Sequence, residues 1–123
     1  MDLLVLDNTG SSYMTLYDND LLQLDVDFTY GHWGGAVTLS TANGNVIRTI
    51  VRMEITIKDQ QGVAMVPWTR VWCVVYPGPS FGNTRCSGMF LRENLYTGTV
   101  PDGHGILWVG VKKGGVCGVM PVT

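Results

Sequence analysis

Lysine and arginine are absent before Arg48, and charged residues of both signs fill only 15% of the 123 positions. With a formal charge of -2 the chain lacks the cationic excess that displaces counterions from phosphates, so DNA and RNA are not expected partners. Long apolar runs are missing too. The longest, Val71-Trp72-Cys73-Val74-Val75-Tyr76, falls far short of the roughly 20 residues that span a bilayer as a helix, and no membrane partner is expected. Met1-Asp2-Leu3-Leu4-Val5-Leu6-Asp7 has neither the basic start nor the apolar length of a secretory signal. The reading is a chain made in a cytoplasm. No repeat, linker or low-complexity segment marks a boundary, so residues 1–123 are read as one domain.

Chemistry is scarce as well. His32 and His104, with Cys73, Cys86 and Cys117, form no Cys-x-x-Cys or His-x-x-x-His pair, so a zinc site is not expected. Cys73 stands inside the apolar run, where a thiol behaves as a small hydrophobe. All three cysteines are read as reduced, with a Cys86–Cys117 disulfide as the alternative. A Cys86, His104, Asp102 set has the thiolate, base and orienter of a nucleophilic catalyst, but base and orienter crowd one loop. Asp18 with Asp20, and Asp25 with Asp27, carry the spacing of a solvated strand face, not of a glycosidase pair. Asp18-Asn19-Asp20 lacks the bidentate Glu of a calcium loop, since no Glu precedes Glu54. The expectation is no enzyme, no metal and no cofactor.

What the sequence does have is period-two alternation. Leu22, Leu24, Val26, Phe28 and Tyr30 alternate with Gln23, Asp25, Asp27 and Thr29, which predicts a strand over 22–30 with one face in the core. Ile47, Thr49, Val51, Met53, Ile55 and Ile57 predict a second, longer strand, interrupted at Ile50. Asn43-Gly44 supplies a hairpin turn between this strand and Ala36–Ser40. Thr69–Tyr76, apolar on both faces, predicts a central strand. Gly105–Lys112 and Val116–Val122 predict a last hairpin, and shorter strands are expected at Leu3–Leu6, Tyr13–Tyr17 and Ser87–Leu91. No window shows helical periodicity, and sixteen glycines with five prolines punctuate the chain. The fold expected is all-β, an antiparallel sandwich of about eight or nine strands, immunoglobulin-like or jelly-roll-like.

The net charge hides an asymmetry. Residues 1–47 carry -6 in Asp2, Asp7, Asp18, Asp20, Asp25 and Asp27, while the remainder carries +4. Opposite patches of this kind steer neighbouring copies of a chain together, unless they interleave and cancel on folding.

The segment from Val51 to Pro67, containing Lys58-Asp59-Gln60-Gln61-Gly62 and followed by Arg70-Val71-Trp72, reads as strand, turn and return strand, with Asp59 and Gly62 closing the turn. This pattern resembles immunoglobulin-like β-sandwich proteins of tailed-bacteriophage virions. The resemblance covers about 25 residues well and the rest in outline, and the Asp-rich N-terminal third departs from it. It implies a structural role without catalytic residues, as a capsid decoration or tail protein in the virion. The partners implied are copies of itself and other virion proteins, a major capsid or tail protein.

Candidate interaction residues follow from exposure and pattern. Leu3 and Val5 lie in a segment, Met1–Asn8, suited to pairing with a neighbour as an added strand. His32 and Trp33 sit in the turn Gly31-His32-Trp33-Gly34-Gly35, Trp68 follows Pro67, and Phe81 and Arg85 lie in the loop from Pro77 to Arg85. Trp72 and Trp108 are read as core. Trp33, Trp68 and the Pro77–Arg85 loop also fit a carbohydrate-binding module or lectin, in which aromatic faces stack on sugar rings.

Overall fold

The structure, a computed structural model, describes residues 1–3, 5–6, 12–78, 85–99, 101 and 107–114. Its architecture is all-β with two short helices. In chain order the elements are β1 (Val5–Leu6), β2 (Met14–Tyr17), α1 (Asp18–Gln23), β3 (Trp33–Thr41), β4 (Gly44–Ile55), β5 (Thr69–Tyr76), β6 (Arg85–Cys86), α2 (Phe90–Asn94), β7 (Tyr96–Gly98) and β8 (Trp108–Gly110). A four-stranded sheet runs β2-β5-β4-β3, accompanied by the pairs β1-β6 and β7-β8.

The pairs β2-β5 and β1-β6 are parallel, so the sheet is mixed where the sequence predicts an antiparallel one. Burial explains it. All four residues of β2 are buried, the setting in which parallel strands occur, and the route from β2 back to β5 contains α1 and the whole β3–β4 hairpin. β5 is interior to the sheet, as its apolar sequence predicts.

Val51 and Cys73, both with 0% exposure, are register partners on β4 and β5. Around them Met14, Leu16, Val75, Leu21, Val66, Phe90 and Leu95 close the core. The odd positions of β4 and β5 therefore face inward and the even ones form a second face. Ile50 interrupts the alternation where β4 stops pairing with β5 and continues with β3 alone. Beyond that point Ile47, expected on the core face, is 68% exposed because β5 no longer lies beside it. The hairpin turn falls at Ala42-Asn43, one position before the dipeptide predicted; Gly44, at φ +107, pairs with Thr41, whose hydroxyl donates to the Gly44 carbonyl at 2.6 Å.

The strand-turn-strand after β4 is present. The Asp59 carboxylate accepts the N–H groups of Gln61 and Val63, each at 2.9 Å, and Gly62 takes φ +82. Lys58 then bridges Ala64.

Several expectations are corrected. Residues 22–30 form no strand: α1 ends and turns instead. The Asp20 carboxylate reaches back to accept the Tyr17 N–H at 3.0 Å, the return half of a capping box, which starts the helix. At its far end Val26 N–H bonds the Leu21 carbonyl and Asp25 N–H the Leu22 carbonyl, a Schellman closure with Asp25 at φ +56. Ser87–Leu91 is likewise a turn into α2, because burial of Phe90 and Leu95 on the core wins over strand propensity. Gly88 sits at φ +62 with its α-carbon against the Tyr13–Met14 backbone. Trp72 is 39% exposed and not core. β8 pairs with β7, a strand the sequence does not announce, and the expected partner Val116–Val122 lies outside the described residues.

Candidate functional site

Two surfaces of opposite character arise from this framework. The first is the second face of the sheet. Because even positions of β4 and β5 point away from the core, Arg48, Arg52 and Glu54 line up beside Arg70, Trp72 and Tyr76. The arginines stack on aromatic rings: Arg48 lies 5.2 Å from the Tyr76 centroid and Arg52 5.7 Å from Trp72. Arg52 also meets His32 Nδ1 at 3.0 Å, and Arg70 faces Glu54 at 3.7 Å. Gly34 makes the packing possible, since a Cβ there would stand 2.5 Å from the Trp72 ring. Among the described residues this face carries three arginines against Glu54, and the Arg48 Nε is screened from solvent without a hydrogen-bond partner.

The second surface is an acidic apolar pad. The Schellman closure brings Val26 back over Leu21, and the Asp27 carbonyl accepts both the Tyr30 N–H at 3.1 Å and the Trp33 indole N–H at 2.9 Å. These bonds fix Trp33 as one wall of a shallow cavity of about 550 Å³, also lined by Asp18, Leu21, Leu22, Val26, Asp27 and Phe28. Phe28 is 90% exposed and Leu22 73%. Both the Thr29 hydroxyl and its N–H bond the Asp27 carboxylate, which holds that carboxyl below the ordinary range and keeps it ionised. Chemically the pad offers burial to an apolar group and attraction to a cation.

The outer half of the β3–β4 ribbon is exposed as well. Ala36, Thr38, Ser40, Asn45, Ile47 and Thr49 leave one of its faces exposed, and the outer edge of β3 has no partner strand among the described residues.

The residues singled out from the sequence fall in different places. Trp33 is half-buried in the pad; His32 is exposed on the arginine face, edge-on to Tyr30. Trp68 is 65% exposed. Leu3 packs against the core, and Val5 pairs within the chain as part of β1, in register with Arg85. Arg85 is committed to Asp20, and Phe81 lies outside the described residues. So do His104, Asp102 and Cys117, and with them the histidine-cysteine sets and the Cys86–Cys117 disulfide. No group of three His, Cys, Asp or Glu is placed to hold a metal among the described residues. The paired aspartates are not a strand face. Asp18 accepts the Gly78 N–H, Asp20 serves Tyr17 and Arg85, and Asp25 and Asp27 build turns. Leu22, Phe28, Arg52, Arg70 and Trp72 were not legible as site residues. The signal for the last three was their even numbering, opposite the core positions Val51 and Cys73.

A scan against protein-family models finds no match, and neither the curated proteins nor the solved structures contain a significant match to this chain.

Proposed function

We propose that the chain is a non-enzymatic virion structural protein, a capsid decoration or tail-associated subunit. It works by associating with copies of itself and docking on other virion proteins, a major capsid or tail protein. In this reading the strands belong to a single β-sandwich of about eight or nine strands, immunoglobulin-like or jelly-roll-like. The protein is made in the host cytoplasm and ends in the virion, and no nucleic acid, membrane or cofactor takes part.

The observation that carries the reading is the outer β3–β4 ribbon. Two strands with an exposed face are marginal alone in water and gain from cover by another chain, and here Ile47 stands 68% exposed on that face. The exposed Phe28 and Leu22 add apolar area of the kind that marks association surfaces. The strand-turn-strand around Asp59 and Gly62, on which the resemblance to phage virion proteins rests, supports the assignment of class.

A second reading, a carbohydrate-binding module, is favoured by Trp68, whose ring is open for stacking. Light scattering over a concentration series, with a glycan array on the same sample, separates the two. The expected result is concentration-dependent oligomers without glycan binding. A monomer that binds glycans overturns the structural reading.

A further inference from the structure

The two surfaces match each other. One is apolar with two aspartates at its rim, Asp18 and Asp27, in a stretch of sequence with no lysine or arginine. The other presents Arg52, Arg70 and Trp72, with Glu54 as the counter-charge. They cannot satisfy each other within one copy, because both remain exposed in the folded chain: Phe28 at 90%, Leu22 at 73%, the Arg70 side chain at 65% and Trp72 at 39%.

We infer that the arginine-aromatic face of one copy seats on the acidic pad of the next. The inference rests on the self-association proposed above and names its contact. Phe28 supplies an aromatic anchor, and Trp72 with the guanidinium planes of Arg52 and Arg70 supplies the matching surface. Aromatic and arginine residues of this type dominate binding energy at protein interfaces. Asp18 and Asp27 fix orientation and speed encounter through their attraction to the arginines. In this arrangement the contact runs head to tail: a pair of copies keeps one unused pad and one unused face, so the assembly grows as a filament or closes into a ring.

That asymmetry supplies the test. Phe28→Ser disables the pad and leaves the arginine face intact, while Arg70→Glu does the reverse. Both side chains are largely exposed, so folding is retained, and Leu22→Lys serves as a second pad variant. The full-length chain and each variant are compared by sedimentation and light scattering at low salt, with circular dichroism confirming the fold. Each variant alone is expected to associate at least about tenfold more weakly than the parent. An equimolar mixture of Phe28→Ser and Arg70→Glu is expected to form a one-to-one heterodimer and nothing larger, because it contains one good pad and one good face. Raising the salt is expected to weaken the parent assembly.

If the parent assembles and the variants assemble equally well, this contact is wrong while self-association stands. A mixture that stays monomeric also overturns it, since a symmetric contact cannot be rescued this way. A parent that is monomeric at every concentration removes both this contact and the self-association beneath it.

Discussion

Arg85 grips Asp20 with two parallel hydrogen bonds, Nε to Oδ2 at 2.8 Å and a terminal nitrogen to Oδ1 at 2.6 Å, across 65 positions of sequence. The carboxylate is 1% exposed and the guanidinium side chain 17%. The pair fastens β6, and through it β1, to the start of α1, and the Arg85 guanidinium also lies 5.8 Å from the Tyr17 ring.

Removing one partner strands the other. Arg85→Ala leaves the Asp20 charge buried and should lower stability by about 3 kcal/mol. Asp20→Ala should lower it less, because the partly exposed guanidinium regains water. Urea denaturation of the two variants measures this, and equal small losses would show that the pair contributes little.

The same pair sets an acid limit. Burial pushes the Asp20 carboxyl up, but the Arg85 hydrogen bonds, the Tyr17 N–H and the Arg85 charge together hold it below the ordinary value of 3.8. As pH falls the unfolded chain therefore takes up its proton first. The stabilisation is complete above the ordinary value and is lost as pH falls through the lower, folded one. Denaturation midpoints from neutral pH to about pH 2 should converge for the parent and Asp20→Asn at the acid end. A constant gap between the two curves would contradict the assignment.

Cys73 should be chemically silent in the native state. Its side chain has 0% exposure, and burial pushes the thiol up to about 12, so little thiolate forms at neutral pH. Alkylation followed by peptide mapping should find Cys73 unmodified until denaturant is added. Rapid native labelling would mean that the β4–β5 core opens readily.

Gly88→Ala should be among the most damaging small changes. The added carbon would stand 2.6 Å from the Tyr13 carbonyl carbon and 2.8 Å from the Met14 nitrogen, at a residue with φ +62. Backbone cannot move aside as a flexible side chain does, so the loss is expected to be at least about 2 kcal/mol. Gly31→Ala, with no atom within 4 Å of the new carbon, is the control and should stay within about 0.5 kcal/mol. Thermal melts of the two variants decide it.

The sheet was legible where its signals are local. The alternation from Val51 to Ile55, the all-apolar β5 and the Asp59-x-x-Gly62 turn each specify their structure within a few residues. Residues 22–30 misled because a helix end and an Asx turn also place Val26 toward the core while leaving Phe28 outside. The left-handed position that ends the helix holds Asp25, not the glycine that advertises such a cap. The pad was hidden for the same reason, since Phe28 reads as inward under a strand pattern. Arg85 was visible as a residue of interest, but its partner lies on α1, and nothing local names so distant a contact.

The parallel pairing of β2 with β5 also orders events in time. As the chain emerges from the ribosome, β3 and β4 can zip together as soon as Ile55 appears, whereas Met14 must wait for Cys73, about 60 residues later. During that interval Met14, Leu16 and Leu21 have no Cys73, Val75 or Phe90 to meet, and the nascent strand is an exposed template for wrong pairing. A chain that stalls before Thr69 would carry a finished ribbon and no interior, which makes completion of β5 the step that closes the core.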